Sequence, residues 1–115
     1  MPRDETSLLD IARAAHLIIA FKQGMDKAAF LQDVKTQSAI LHQLLIIGEA
    51  VKRLSPEFRN DHAEIPWRPI ARMRDKLIHA YDTVDFDEVW KTVDTEVPTL
   101  ISLLEPLLPK QRDET

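Results

Sequence analysis

Apolar residues recur at three- and four-residue steps along most of the chain, and those steps predict one helix after another. From Ser7 to about Lys22, the residues Leu8, Leu9, Ile11, Ala12, Ala15, Ile18 and Ile19 share one helical face, and Gly24 supplies an end. Asp26 can cap a short turn through Phe30 and Leu31. Asp33 or Thr36 then starts a long helix to about Leu54, and its stretch AILHQLLIIGEAV is apolar over most of its circumference, which predicts a central position. Ser55-Pro56 reads as an N-cap followed by proline at the first helical position, opening a brief turn through Arg59 before the polar loop NDHAE. Pro66 opens the next helix, which reaches about His79; Pro69 would sit fourth in it, where the amide has no intrahelical acceptor to lose. The last long helix has the clearest start, with Asp85 as N-cap, Glu88 three residues on, and Val84 and Val89 spaced as a hydrophobic staple. Phe86, Val89, Trp90, Val93, Val97, Leu100, Ile101 and Leu104 form its buried stripe, and Pro98 predicts a kink.

Composition agrees with this pattern. Only two residues are glycine, and good helix formers dominate, so the expected class is all-α: an antiparallel bundle of four to five helices. At 115 residues and 44% hydrophobic, one domain over residues 1–115 is expected, with a disordered tail from about residue 109. The absence of cysteine removes disulfides, thiol nucleophiles and thiolate zinc sites. The charged N-terminus lacks a secretory signal and the longest apolar run, Leu44 to Ile47, is far too short for a bilayer, so a cytoplasmic protein without membrane contact is expected. A net charge of −4 argues against a broad nucleic-acid-binding surface and leaves room only for a local patch.

One stretch does not fit simple packing. In MRDKLIHAY, Met73 to Tyr81, an arginine stands among apolar residues. At roughly 100° per residue, with Arg72 as zero, Arg74 lies at about 200°, among Ile70, Met73, Leu77, Ile78 and Tyr81. Arg72, Lys76 and His79 take the opposite side, as solvated charges do. A buried unpaired guanidinium is costly. Three arrangements relieve the cost: Arg74 snorkels to water, pairs with an acid such as Glu49, or borders a cleft shared with another molecule. His79 stands roughly 140° from Arg74 on an ideal helix. The two can converge only if the helix ends or unwinds near Ile78, or if they meet across a dimer.

Arg74, four intervening residues, His79, one more residue and Tyr81 match the R-x(4 to 6)-H-x-Y motif of the HEPN superfamily, and the chain resembles the HepT-like ribonuclease toxins within it. IIGEAVKRLSPEFR, IPWRPIARMRDKLIHAYDTVDFDEVW and the closing apolar helix with its proline extend the resemblance from about residue 7 to residue 106. Three positions depart from the family pattern: a small residue, often glycine, is expected near Arg72, asparagine is frequent at Asp75, and Pro69 is unusual. Arg72 adds a charge that can aid RNA contact, whereas Asp75 can draw on Arg74.

The resemblance implies a homodimer whose two motifs face one cleft and cut RNA without metal or cofactor. The residue types suit that chemistry. Transesterification by a ribose 2′-hydroxyl needs a proton acceptor, a proton donor and a fixed cation; imidazole exchanges protons near neutral pH, and guanidinium holds phosphate through a planar fork. His79 and Arg74 are thus the expected catalytic pair, with Arg72, Asp75, Lys76 and Glu49 as supporting or RNA-contacting residues. The family also implies a small nucleotidyltransferase antitoxin that adenylylates the motif tyrosine, here Tyr81. Tyr81 can equally be a core-edge aromatic or an RNA contact. The rival class is a helical interaction module that binds a nucleotidyltransferase and catalyses nothing; a third is a metal nuclease. Asp61, His62 and Glu64 read as a solvated loop without a second ligand cluster. His16 and His42 read as packing or surface histidines.

Overall fold

The computed structural model describes residues 2–109, and every regular element among them is helical. The expected tail KQRDET lies outside the described residues. Seven α-helices follow in order: α1 (Pro2–Phe21), α2 (Lys27–Leu31), α3 (Val34–Arg53), α4 (Pro56–Asp61), α5 (Trp67–His79), α6 (Phe86–Lys91) and α7 (Val97–Leu104). A π turn, Thr92–Glu96, joins α6 to α7, and 3-10 turns span Tyr81–Thr83 and Glu105–Leu107.

Most starts follow from side-chain caps that satisfy the first free amides. Asp26 accepts from Ala29 N at 2.8 Å to open α2, and Asp33 accepts from Thr36 N at 3.1 Å and Thr36 Oγ1 at 3.0 Å to open α3. Ser55 Oγ accepts from Phe58 N at 3.1 Å, and Asp85 accepts from Asp87 N at 3.0 Å at the head of α6. Gly24, at φ 80°, turns the chain out of α1, a conformation that an L side chain resists.

Three boundaries differ from expectation. α1 begins at Pro2, five residues before Ser7. Its first turn is held from a distance: buried Asp4 accepts from both Ser55 N and Ser55 Oγ at 2.8 Å. Pro66 is the N-cap of α5, one position outside the helix, so Pro69 is third in it and still among the amides that need no intrahelical acceptor. α4 runs on to Asp61, taking in part of the expected loop. The effect of Pro98 appears as the π turn just before it, where Val97 N–H reaches back to Thr92 O. Proline has no N–H and its ring crowds the carbonyl four residues earlier, and a widened turn relieves both.

α3 packs against both α1 and α5, α1 also packs against α7, and α2 touches α3 and α6. The core runs through Ile11, Ala15 and Ile18 of α1, Ile40, Ala50 and Val51 of α3, and Val93, Val97 and Leu104 of the closing segment. This matches the predicted stripes except at Leu9, which is 45% exposed. Trp67 anchors the head of α5: it is buried and its Nε1 donates to His62 O at 3.0 Å. That ties the start of α5 to the segment just before it.

Candidate functional site

α5 meets α3 at glycine. A Cβ built on Gly48 would overlap the Cβ of Arg74 and lie 2.7 Å from its Cγ and 3.4 Å from its Cα. Only a bare α-carbon lets the two backbones come this close, and the stem of Arg74 fills the space. The residue after that glycine, Glu49, accepts from Arg74 Nη2. On the other side of the fork, Arg74 Nη1 donates to Asp75 Oδ1 at 2.9 Å, and the same oxygen accepts from Lys52 Nζ at 3.0 Å. Arg74 is thus a half-buried cation, 23% exposed at its side chain, held by two carboxylates.

The electrostatics follow from that arrangement. The Lys52 ammonium first, and then the Arg74 guanidinium, hold the Asp75 carboxyl below the usual carboxylate range. Asp75, and after it Glu49, push Arg74 up against the opposing cost of burial. Arg74 is therefore a permanent positive charge at a fixed place. Its Nε is buried and has no hydrogen-bond partner among the described residues.

Of the sequence-predicted residues, the structure brings together Arg74, Glu49 and Asp75. His79 is placed elsewhere. α5 stays helical through His79, so the helix does not unwind near Ile78, and the ideal-helix separation of roughly 140° from Arg74 stands within one chain. His79, Arg72 and Lys76 are all exposed. Tyr81 follows in the 3-10 turn and is 50% exposed, while Ile78, on the Arg74 side of α5, is 47% exposed. The apolar face of α5 is thus covered at Leu77 and bare at its C-terminal end.

Gly48 and Lys52 were not among the predicted site residues. A glycine inside an otherwise apolar helix was the available signal for the first, since such a position usually marks a close approach. Lys52 carried no signal without the position of α5. His16 and His42 are exposed, and the ring of His62 lies 4.5 Å from that of Phe58. No group of three or more metal-ligating side chains occurs among the described residues. An apolar groove of about 370 Å³ between α3, α5 and α7, lined by Leu44, Ile47, Ile70 and Leu100 among others, excludes both Arg74 and His79. The charged site is a surface rather than a cavity. No helix is long and apolar enough to cross a membrane among the described residues.

The chain matches the model of the ribonuclease HepT-like family over residues 11–107. It is similar to the "Probable ribonuclease HepT" of Thermococcus cleftensis, 50% identical over 100 residues that cover 87% of this chain and 91% of that protein. It is also similar to a "Putative RNase" of Methanocaldococcus jannaschii, 39% identical over 110 residues covering 94% of this chain and 91% of that protein. A third relative, a "Putative RNase" of Caldanaerobacter subterraneus, is 38% identical over 102 residues, 89% of this chain and 91% of its own length. No solved structure matches. The family match reaches from α1 past the end of α7 and includes the whole of α5, with Arg74 and His79, and Tyr81 in the turn after it; the chain belongs to the ribonuclease HepT-like family.

Proposed function

We propose that this chain is a metal-independent endoribonuclease that works as a homodimer, the toxin of a toxin–antitoxin pair whose other member is a small nucleotidyltransferase. The observation that carries the reading is the R-x4-H-x-Y triplet at the end of α5, where a fixed guanidinium is followed by an exposed imidazole and an exposed phenol, in a chain whose relatives are named as ribonucleases. Ile78 and Tyr81 leave apolar surface at the same helix end, which a second copy would cover. Since Arg74 and His79 diverge within one helix, the reaction draws on residues of both copies.

One His79 accepts the proton of the ribose 2′-hydroxyl as that oxygen attacks the neighbouring phosphorus. Arg74 stabilises the charge that builds on the phosphorane oxygens. The second His79 gives a proton to the departing 5′-oxygen, so the products are a 2′,3′-cyclic phosphate and a free 5′-hydroxyl. Glu49 and Asp75 orient the fork. The antitoxin silences the site by nucleotide transfer: the Tyr81 oxygen attacks the α-phosphorus of ATP, pyrophosphate leaves, and the added anion occupies the phosphate site and repels RNA.

The test is RNA cleavage by the purified, unmodified protein in excess EDTA, beside His79→Ala and Arg74→Ala, with new 3′ ends analysed. Cleavage by the parent, loss in both variants and a cyclic phosphate product are expected. No cleavage by the parent, or equal cutting by His79→Ala, would give precedence to the non-catalytic interaction module.

A further inference from the structure

The outer face of α5 carries a row of cations that the Arg74 site does not use. With Arg72 as zero and roughly 100° per residue, Arg68 lies at about −40°, Lys76 at about +40° and His79 at about −20°. All four are exposed and line one narrow strip of the helix. Elsewhere part of the positive charge is spent on carboxylates: Lys22 pairs with Asp94, Lys27 with Asp87, Lys52 with Asp75 and Arg53 with Asp10. Arg68, Arg72 and Lys76 make no ion pair among the described residues, and the one acid of α5, Asp75, is committed to Lys52 and Arg74. Arg3, Arg13, Lys35, Arg59 and Lys91 also lack such a partner, but they are scattered over α1, α3, α4 and α6. On a protein of net charge −4, this strip is where unspent positive charge is in line.

Its spacing has a chemical counterpart. Four residues of α-helix rise about 6 Å, close to one nucleotide's stride along an extended single strand. Three cations spaced to match successive phosphates make a track that follows a sugar–phosphate backbone irrespective of base. The track leads to His79.

We infer that Arg68, Arg72 and Lys76 form a binding track for the backbone of single-stranded RNA, one phosphate to each cation, which delivers the next phosphate to His79. This rests on the ribonuclease reading for what happens at His79 and adds where the strand lies. Arg68, a turn and a half beyond the catalytic motif, is the residue that tests it, since it is too far along α5 to take part in the chemistry. Substrate selection along the track is by single-strandedness and charge, with little preference for base.

Binding of a fluorescein-labelled oligouridylate is measured by anisotropy against salt in a His79→Ala background, so that no strand is cut. Arg68→Gln and Lys76→Gln should each weaken binding roughly threefold or more and lower the slope of log affinity against log salt by about 0.7. Lys35→Gln, an exposed cation off the strip, should change neither. In the His79-intact protein, Arg68→Gln should raise KM and leave kcat unaltered. If Arg68→Gln binds like the parent, or Lys35→Gln weakens binding as much, the track is overturned. Cleavage by the parent in EDTA reports separately on the ribonuclease reading: a parent that cuts while Arg68→Gln binds normally loses the track and keeps the enzyme, and a parent that neither binds nor cuts loses both.

Discussion

The contact between Gly48 and Arg74 joins packing to chemistry in one pair of atoms. Alanine is a better helix former than glycine by about 1 kcal/mol, but a methyl at position 48 meets the Cβ of Arg74, which cannot swing aside; overpacking of this kind costs about 1–3 kcal/mol. Gly48→Ala should therefore lower the urea midpoint, and RNA cleavage should fall further than stability accounts for, because Arg74 moves with the α5 backbone. Equal midpoints and equal rates in the two proteins would remove Gly48 from the site. Asp75→Asn tests the neighbouring contact. The amide oxygen still accepts from Arg74 and Lys52, while one negative charge leaves the guanidinium. Cleavage should become several-fold more efficient, mainly through KM, with the gain shrinking as salt is raised; steady-state kinetics at two ionic strengths decides it. The anomaly of Arg74 was legible in sequence because a charge on an apolar face demands a partner, and Glu49 was nameable as that partner. The glycine beneath it was not singled out: helical periodicity registers what a residue buries, and glycine buries nothing.

At the scale of helices, legibility followed the range of the stabilising contact. α2, α3, α4 and α6 are each opened by a side chain capping an amide two or three residues away, and each cap was readable in the sequence. The first turn of α1 was missed because its partner, Ser55, is 51 residues distant. The π turn was foreseen only as a disturbance at Pro98, since proline says that a regular turn must give way without saying how. The long-range clasp also has a pH signature. Asp4 is held below its ordinary pKa of 3.8, first by the Ser55 amide and then, against the cost of burial, by the Ser55 hydroxyl. A carboxyl depressed in the folded state contributes stability that is complete above the unfolded pKa and is lost as pH falls through the folded one. Asp4→Asn should cost about 1–3 kcal/mol at neutral pH, and the gap from the parent should close below pH 3.8; denaturant unfolding at both pH values measures it. A gap that persists in acid would assign Asp4 a purely steric role.

At the scale of the whole molecule, the proposed activity requires two copies, and the bare end of the α5 apolar face is where they would meet. Ile78→Lys replaces an exposed side chain, so the melting of a single chain should shift by no more than about 0.5 kcal/mol. Light scattering should then show a dimer in the parent and a monomer in the variant, with cleavage lost alongside. A parent that is monomeric at working concentration, or a variant that stays dimeric and active, would send the search for a composite site elsewhere. The separation of charge has a consequence of its own for encounter. An acidic body whose other unpaired cations are scattered, with one row of unpaired charge in line on α5, repels a polyanion from most directions and draws it from one. RNA would then arrive already oriented, and raising the salt would slow its arrival far more than it hastens its departure.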